Sequence, residues 1–485
     1  MRGIVKACVS GRPQARRLSY PSSTSRILHQ RSAYAIQDTT KDTKNACAAL
    51  TKHTDIKDVP RQHQRPARAS AARPFTKKPA NVFPSTHLTL PPSTIPPASV
   101  MARTAIYLVI LAAIAPYLYD RWQALSAMLA NRPGKLEPVY NIKSHKIKFR
   151  DRVRNCEDVV LDEGMGIAIL SCDPGRDRWN TVMGTFRAEN GLESGALWLY
   201  DYSTPDLPDD EAMKRLQWAN FPNEADFHPL GIEFDHATAT LYAVNHAQSG
   251  SALEVFTIDV NTATATHIQT FKHPLLHAPN SIHALGAGKL FVTNDHFFRA
   301  AVAPLLSKLE TWLAPPGGSV VFVDLERPQE SRVVARVAFA NGVAMLNKTT
   351  LAVASTSRAG VYFYEVEPDY SLKSKGFVRT LAAVDNLSVD SAGALLMAGH
   401  PSGLALISVA KNRWKCDAQS EKEDERLACG CQSPSWVAEW TESGGLRELY
   451  KGGEFCSSTM AVRDKARGVG FVSGLYERGV MVFRE

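Results

Sequence analysis

From about residue 147 to the C-terminus the chain is a succession of short apolar runs, each bounded by Gly, Pro, Asn or Asp. Residues 166–171, 196–200, 240–244, 253–258, 289–293, 319–323, 350–354, 361–364, 394–398, 404–408, 468–472 and 479–483 are such runs. Most are rich in β-branched and aromatic side chains, which fit a pleated, half-buried surface, so strands are the expectation. A unit of loop and paired strands returns at roughly 45 to 60 residues, the period of a propeller blade. About 340 residues at that period predict an all-β fold: a six-bladed β-propeller of four-stranded blades over residues 146–485. Two stacked sandwiches would be the competing arrangement, but no linker divides the run.

Two stretches break the pattern. Residues 297–318 space their apolar side chains as a helix does and end in Pro-Pro-Gly-Gly, so an amphipathic helix is expected that packs on a blade, roofs a pocket or touches a membrane. Residues 411–433 carry a charged run and three cysteines, the composition of a solvated insert between two strands.

Charge is divided unevenly. Residues 1–100 hold 17 Lys and Arg against 4 Asp and no Glu, whereas the remainder holds 39 basic and 44 acidic residues. The basic balance therefore belongs to the tail, and the body carries no basic stripe interleaved with aromatics, which argues against a nucleic-acid partner. The first hundred residues read as a disordered basic tail or an upstream extension, and the first forty also fit a mitochondrial transit sequence. Residues 104–119 contain no charge and are flanked by Arg103 and by Asp120-Arg121. A signal anchor over 103–121 is expected, with a linker helix over 122–145 broken at Asn131-Arg-Pro-Gly134. The positive-inside rule then puts the propeller on the lumenal or extracellular side.

Several strand mouths share one design: an oxygen-bearing side chain directly before or inside an apolar run. Glu157, Asn280, Asn341, Asp385 and Asn386 stand in such positions, spread over more than two hundred residues. Taken singly, each caps a turn. Brought together, they offer five hard oxygen donors with two negative charges, a set suited to Ca²⁺. The eight cysteines form no Cys-x-x-Cys pair, and Cys429-Gly-Cys431 is too tight for a zinc knuckle.

These segments together resemble the paraoxonase/arylesterase family of calcium-dependent six-bladed propellers. The resemblance rests on Cys156-Glu157-Asp158, His228-Pro-Leu-Gly-Ile232, Val244-Asn-His246, Asn280-Ser281 and Thr293-Asn-Asp-His296. It continues through Phe339-Ala-Asn341-Gly, Val384-Asp-Asn386-Leu-Ser-Val-Asp390 and Gly399-His400-Pro-Ser-Gly403, all in family order. It implies a catalytic calcium held by Glu157, Asn280, Asn341, Asp385 and Asn386, and a second, structural one at Asp158 and the Ile232 carbonyl. Ser281 stands where the family has an acidic third ligand, which weakens the second site.

The implied activity is hydrolysis of a hydrophobic ester or lactone, the metal polarising the carbonyl while a base activates water. Of the family's two histidines one corresponds to His246, but the other falls at Leu230. His228, two residues earlier, would share the side of Leu230 on an extended strand, and Asp295 or Asp385 are other candidate bases. Leu230, Asp295 and His400 are expected to line the substrate pocket. The alternative reading, favoured by Leu230, is a calcium-stabilised propeller without turnover that serves as a binding module. The family's end-tying disulfide has no counterpart in the last strand, so strand pairing must close the ring. Cys156 and Cys172 are expected as buried thiols, and Cys416, Cys429 and Cys431 as partners within the charged insert. Asn347-Lys-Thr and Asn386-Leu-Ser are glycosylation sequons; Asn386 cannot both carry a glycan and hold an internal ion.

Overall fold

A computed structural model describes residues 98–189, 191–204 and 207–485. The tail expected over residues 1–100 lies outside them except for its last three positions. Six sheets, antiparallel except for a short parallel pairing of Gln217–Ala219 with Thr264–Phe271 at the edge of the second, follow one another along the chain and form a six-bladed propeller. The innermost strands are Cys156–Asp162, Pro229–Asp235, Pro279–Gly286, Ala340–Asn347, Ala383–Val389 and Ser458–Asp464. Each touches the next, and the sixth touches the first, so they make a closed ring. Between blades lie dry layers of side chains. Ile169, Leu197, Leu241 and Phe256 fill one between the first and second blades, and Phe291, Phe322, Leu351 and Val353 fill one between the third and fourth.

Closure is by strand pairing, as expected. Ser144–Lys148 pairs with Val480–Arg484 in the sixth blade, Ser144 opposite Arg484. The joint has a polar lock beside it. Arg463 of the sixth inner strand is buried and donates from Nε to Asp390 Oδ2 at 2.9 Å and from Nη1 to Glu439 Oε2 at 2.8 Å, both in or beside the fifth blade. It also donates to the C-terminal residue, Glu485.

Three expectations are corrected. The run at 404–408 is not a strand: Gly403–Asn412 is a helix, burying Leu406, Val409 and Ala410 while Leu404 faces solvent. A five-residue apolar run is too short for its period to separate strand from helix. Cys156 and Cys172 are not thiols but a disulfide, because the strand register sets them directly opposite each other. In the insert Cys416 pairs with Cys429, whereas Cys431 reaches out to Cys456 of the fifth blade.

The N-terminal helix runs unbroken over Ala98–Ala130, past Pro116, so residues 122–130 continue it. The strand pairs Val139–Tyr140 and Ser144–Lys148 already belong to the blades. Among the described residues it is the one helix long and apolar enough to cross a membrane. Residues 102–119 are all exposed, although Tyr117 already donates from its hydroxyl to Leu313 O at 2.8 Å, and from Asp120 onward the helix lies on the propeller. Asp120 pairs with Arg358 at 2.6 Å and with Arg379. Asn131 Nδ2 donates to Leu381 O at 3.0 Å.

Replacing Arg463 with Met leaves the Asp390 carboxylate buried without its cation. The expected cost is about 3–5 kcal/mol, read as a lowered midpoint in urea unfolding.

Candidate functional site

All six inner strands are irregular near their starts. Their pairing with the second strand slips between Cys156 and Asp158, Pro229 and Ile232, Pro279 and Ile282, Ala340 and Val343, Val384 and Leu387, and Ser458 and Met460. A bulge leaves a residue out of the ladder and re-aims its side chain. Glu157, Leu230, Asn280, Asn341, Asp385 and Thr459 occupy these slips, one per blade. The backbones crowd here: a Cβ on Gly231 would sit 2.4 Å from Asn280 O, and one on Gly342 2.5 Å from Leu387 N. Only glycine permits inner strands to approach so closely.

Glu157, Asn280, Asn341, Asp385, Leu230 and His400 line one cavity of ≈ 110 Å³. Its other walls come from three helices, through Leu125 and Met128, Thr311 and Trp312, and Leu406 and Ile407. The expected helix at 297–318 is thus Pro304–Leu313, and it does wall a pocket. Asn386 stands beside this cavity, its Nδ2 donating to Glu157 Oε1 at 2.7 Å.

The polar atoms here are satisfied on one side only. Asn341 Nδ2 donates to Thr356 Oγ1 at 3.0 Å, and His400 Nε2 lies 2.8 Å from Asp385 Oδ2. Glu157 Oε2, Asn280 Oδ1, Asn341 Oδ1 and Asn386 Oδ1 are buried with no hydrogen-bond partner. Each such orphan costs about 1–3 kcal/mol, so four acceptors in one place call for a positive charge among them. Burial, with Asp158 and Asp385 adding like charge, holds the Glu157 carboxyl well above the usual carboxylate range, a penalty that a cation relieves. Among the described residues no three His, Cys, Asp or Glu side chains cluster as ligands. The donor set is two carboxylates and three amides, which fits a hard, oxygen-seeking cation and not zinc.

Asp158, Ile232 and Ser281 face a separate pocket further along the same inner strands. Both Asp158 oxygens already accept backbone N–H groups, from Ile232 and from Val159, each at 2.8 Å. Burial pushes this carboxyl up to about 7. With Ser281 beside it, this group fits a cation poorly.

The remaining candidates are spoken for elsewhere. His246 Nε2 donates to Pro279 O at 2.6 Å while Thr181 donates to Nδ1, and burial lowers its basicity. His228 is buried against Asp173, its Nδ1 3.3 Å from Oδ1, and Leu230 lines the cavity instead. Asp295 Oδ1 accepts from His296 Nδ1 at 2.7 Å, and His296 Nε2 reaches Thr311 Oγ1 at 2.7 Å. Asp295 therefore touches the cavity only through the His296–Thr311 relay. One lining residue was read from sequence only as the boundary of the anchor: Arg121.

Burial pulls the His296 imidazole down, but the Asp295 hydrogen bond and charge, with Glu310, raise it above its ordinary value. Its contribution to stability is thus present below about pH 6.5 and lost as pH rises through the raised value. In Asp295→Asn the burial stays and the partner charge goes. Histidine-ring NMR should show the His296 titration moving to lower pH than in the parent.

Residues 186–416 match the family model described as Arylesterase. The chain is 33% identical over 223 residues to serum paraoxonase/lactonase 3 of Oryctolagus cuniculus, covering 44% of this chain and 60% of that protein. It is 33% identical over 190 residues to serum paraoxonase/arylesterase 2 of Canis lupus familiaris, covering 38% and 52%. The chain thus spans about half to three fifths of the length of these curated relatives. A gluconolactonase from Xanthomonas campestris superimposes with a TM-score of 0.40 at 14% identity, over 73% of this chain and 91% of that one, a likeness too distant to carry an argument. Over residues 186–416 the chain is therefore similar to the arylesterase family, on a propeller that continues to both sides of that stretch.

Proposed function

We propose that the chain is a calcium-dependent hydrolase of esters or lactones. The observation that carries this reading is the set of four orphaned oxygens, on Glu157, Asn280, Asn341 and Asn386, gathered with Asp385 at the head of the inner strands. These five residues would hold the ion, which when bound would supply polarisation of a substrate carbonyl and stabilisation of the charge on its oxygen. The matched family and its lactonase and arylesterase relatives give the reaction class.

A base must take a proton from the attacking water. His400 best fits that task. With its Nε2–H donated to Asp385, its Nδ1 lone pair is left buried and unpartnered, and Asp385 fixes the tautomer as a carboxylate does beside a catalytic imidazole. His246 has both ring nitrogens engaged, and His228, although its Nε2 is unpartnered, does not line the cavity, so neither offers a free lone pair there. Leu125, Met128, Trp312, Leu406 and Ile407 supply apolar walls that exclude water and suit a hydrophobic acyl or alcohol portion.

The residues 102–119 exposed along the N-terminal helix span about 27 Å, close to the hydrocarbon thickness of a bilayer. Three disulfides favour an oxidising compartment, which weighs for the secretory pathway over a mitochondrial address. The propeller is then lumenal or extracellular, and exposed Asn347 is its glycan acceptor. Expressed in eukaryotic cells, the protein should lose one glycan-sized increment of mass in Asn347→Gln; an unchanged mass rejects that topology.

Leu230 favours a second reading, a calcium-stabilised binding module, because it puts an apolar side chain where the resemblance implies a second histidine. The two readings part in one assay of the calcium-loaded protein on aryl esters and aliphatic lactones. Hydrolysis abolished by chelator and restored by Ca²⁺ supports the enzyme. In that case Asn341→Leu removes turnover, and His400→Ala lowers kcat by about 10²- to 10⁴-fold. A calcium-dependent melting temperature without turnover supports the module.

A further inference from the structure

We propose that Arg121 makes this site select substrates that carry a carboxylate in addition to the scissile carbonyl. The inference rests on the hydrolase reading and names the class of substrate. Arg121 comes from the N-terminal helix and lines the same cavity as Glu157, Asn280 and Asp385. It is 7% exposed. Of the five N–H donors of its guanidinium, only Nη2 has a protein partner, Ser357 O at 2.6 Å. Nε and Nη1 are buried and unpartnered.

The nearest carboxylate in sequence is not free to answer this charge, since Asp120 is held by Arg358 and Arg379. That pair already moors the helix to the fourth blade, so mooring does not account for a buried guanidinium one residue on. Arg463 gives the contrast: equally buried, it meets three carboxylates. A buried cation without a counter-ion is strongly unfavourable. Its remedy must come from the cavity, because the unpaired N–H groups belong to a side chain that lines it.

Charge balance points the same way. Glu157 and Asp385 together match a divalent cation, which leaves Arg121 as the one uncompensated charge among the lining side chains. A single anionic group on the ligand restores neutrality. The planar guanidinium fork, with an Nε and an Nη donor both free, matches a carboxylate in bidentate geometry. Away from the five oxygen donors and Arg121 most of the wall is apolar, through Leu125, Met128, Val182, Trp312, Leu406 and Ile407, so the ligand is a short acyl chain with an acid at its far end.

The test uses the full-length, detergent-solubilised, calcium-loaded protein and two esters of equal chain length, 4-nitrophenyl valerate and mono-4-nitrophenyl glutarate. The parent should prefer the glutarate in kcat/KM by about tenfold or more, the magnitude of a charge-assisted bidentate pair. In Arg121→Met that ratio should fall to near one, mainly through KM, and Arg121→Lys should recover part of it. A parent that prefers the valerate, or a ratio unmoved by Arg121→Met, overturns the proposal. If neither ester is turned over, the hydrolase reading fails by itself. The recognition claim is then decided by calorimetry with glutarate: binding lost in Arg121→Met and partly kept in Arg121→Lys sustains it, and no binding to the parent overturns it.

Discussion

The site depends on a backbone irregularity repeated six times. A regular strand alternates its side chains between two faces, and in a propeller both faces of an inner strand pack against neighbouring blades. Left regular, residues such as Glu157 and Asn341 would be delivered into interblade layers built of Phe, Leu and Val. The slip at the head of each inner strand takes one residue out of that alternation. Six such residues then stand around one axis, and all but Leu230 are polar, so the polar ones fall on five of the six blades. Glycine at 231 and 342 is the steric condition for this crowding, because any side chain there would meet the neighbouring strand's backbone.

A ring of this kind has one seam, and among the described residues the chain secures it by strand pairing. Ser144–Lys148 supplies the outer strand of the last blade, so unfolding the seam exposes a full strand of hydrogen-bonding groups. Arg463 adds a joint between the fifth and sixth blades and the C-terminal residue. The covalent ties lie elsewhere: Cys156–Cys172 within the first blade, and Cys431–Cys456 holding the insert to the fifth. The disulfides therefore restrain blades and insert, while the circle is held by hydrogen bonds and the buried ion-pair network.

Much of this architecture is legible in the sequence because it is written in composition. Short β-branched runs at a regular period announce blades, and Asx and Glu at strand mouths announce the convergence of oxygens. What composition does not carry is phase. The two-residue step from His228 to Leu230 places both on one side of a regular strand, but the strand begins only at Pro229 and slips before Ile232. His228 consequently turns to Asp173, and the leucine faces the cavity. Register has the same character: that Cys156 opposes Cys172 follows from a pairing that no spacing rule reveals. The helix at Gly403–Asn412 escapes because five apolar residues have no measurable period, although its buried positions at 406, 409 and 410 are helical once the flanking residues are counted.

The N-terminal helix joins a long apolar segment to the site. Arg121, Leu125 and Met128 are spaced i, i+4 and i+7, which puts them on a single face of a helix, and that face walls the cavity. The same helix presents residues 102–119 to its surroundings on every side. A helix is stiff over this length, so the orientation of its apolar half fixes the pose of Arg121 relative to the propeller axis, and the Asp120 pairs set the depth at which it enters. A sequence reading that ends the anchor at residue 121 separates these functions at the residue that joins them. Charged residues after an apolar segment usually mark water; here the first of them is tied to two arginines on the fourth blade and the second is buried in the wall of a cavity. The charge therefore has to be explained by what the cavity holds, not by where the apolar segment stops.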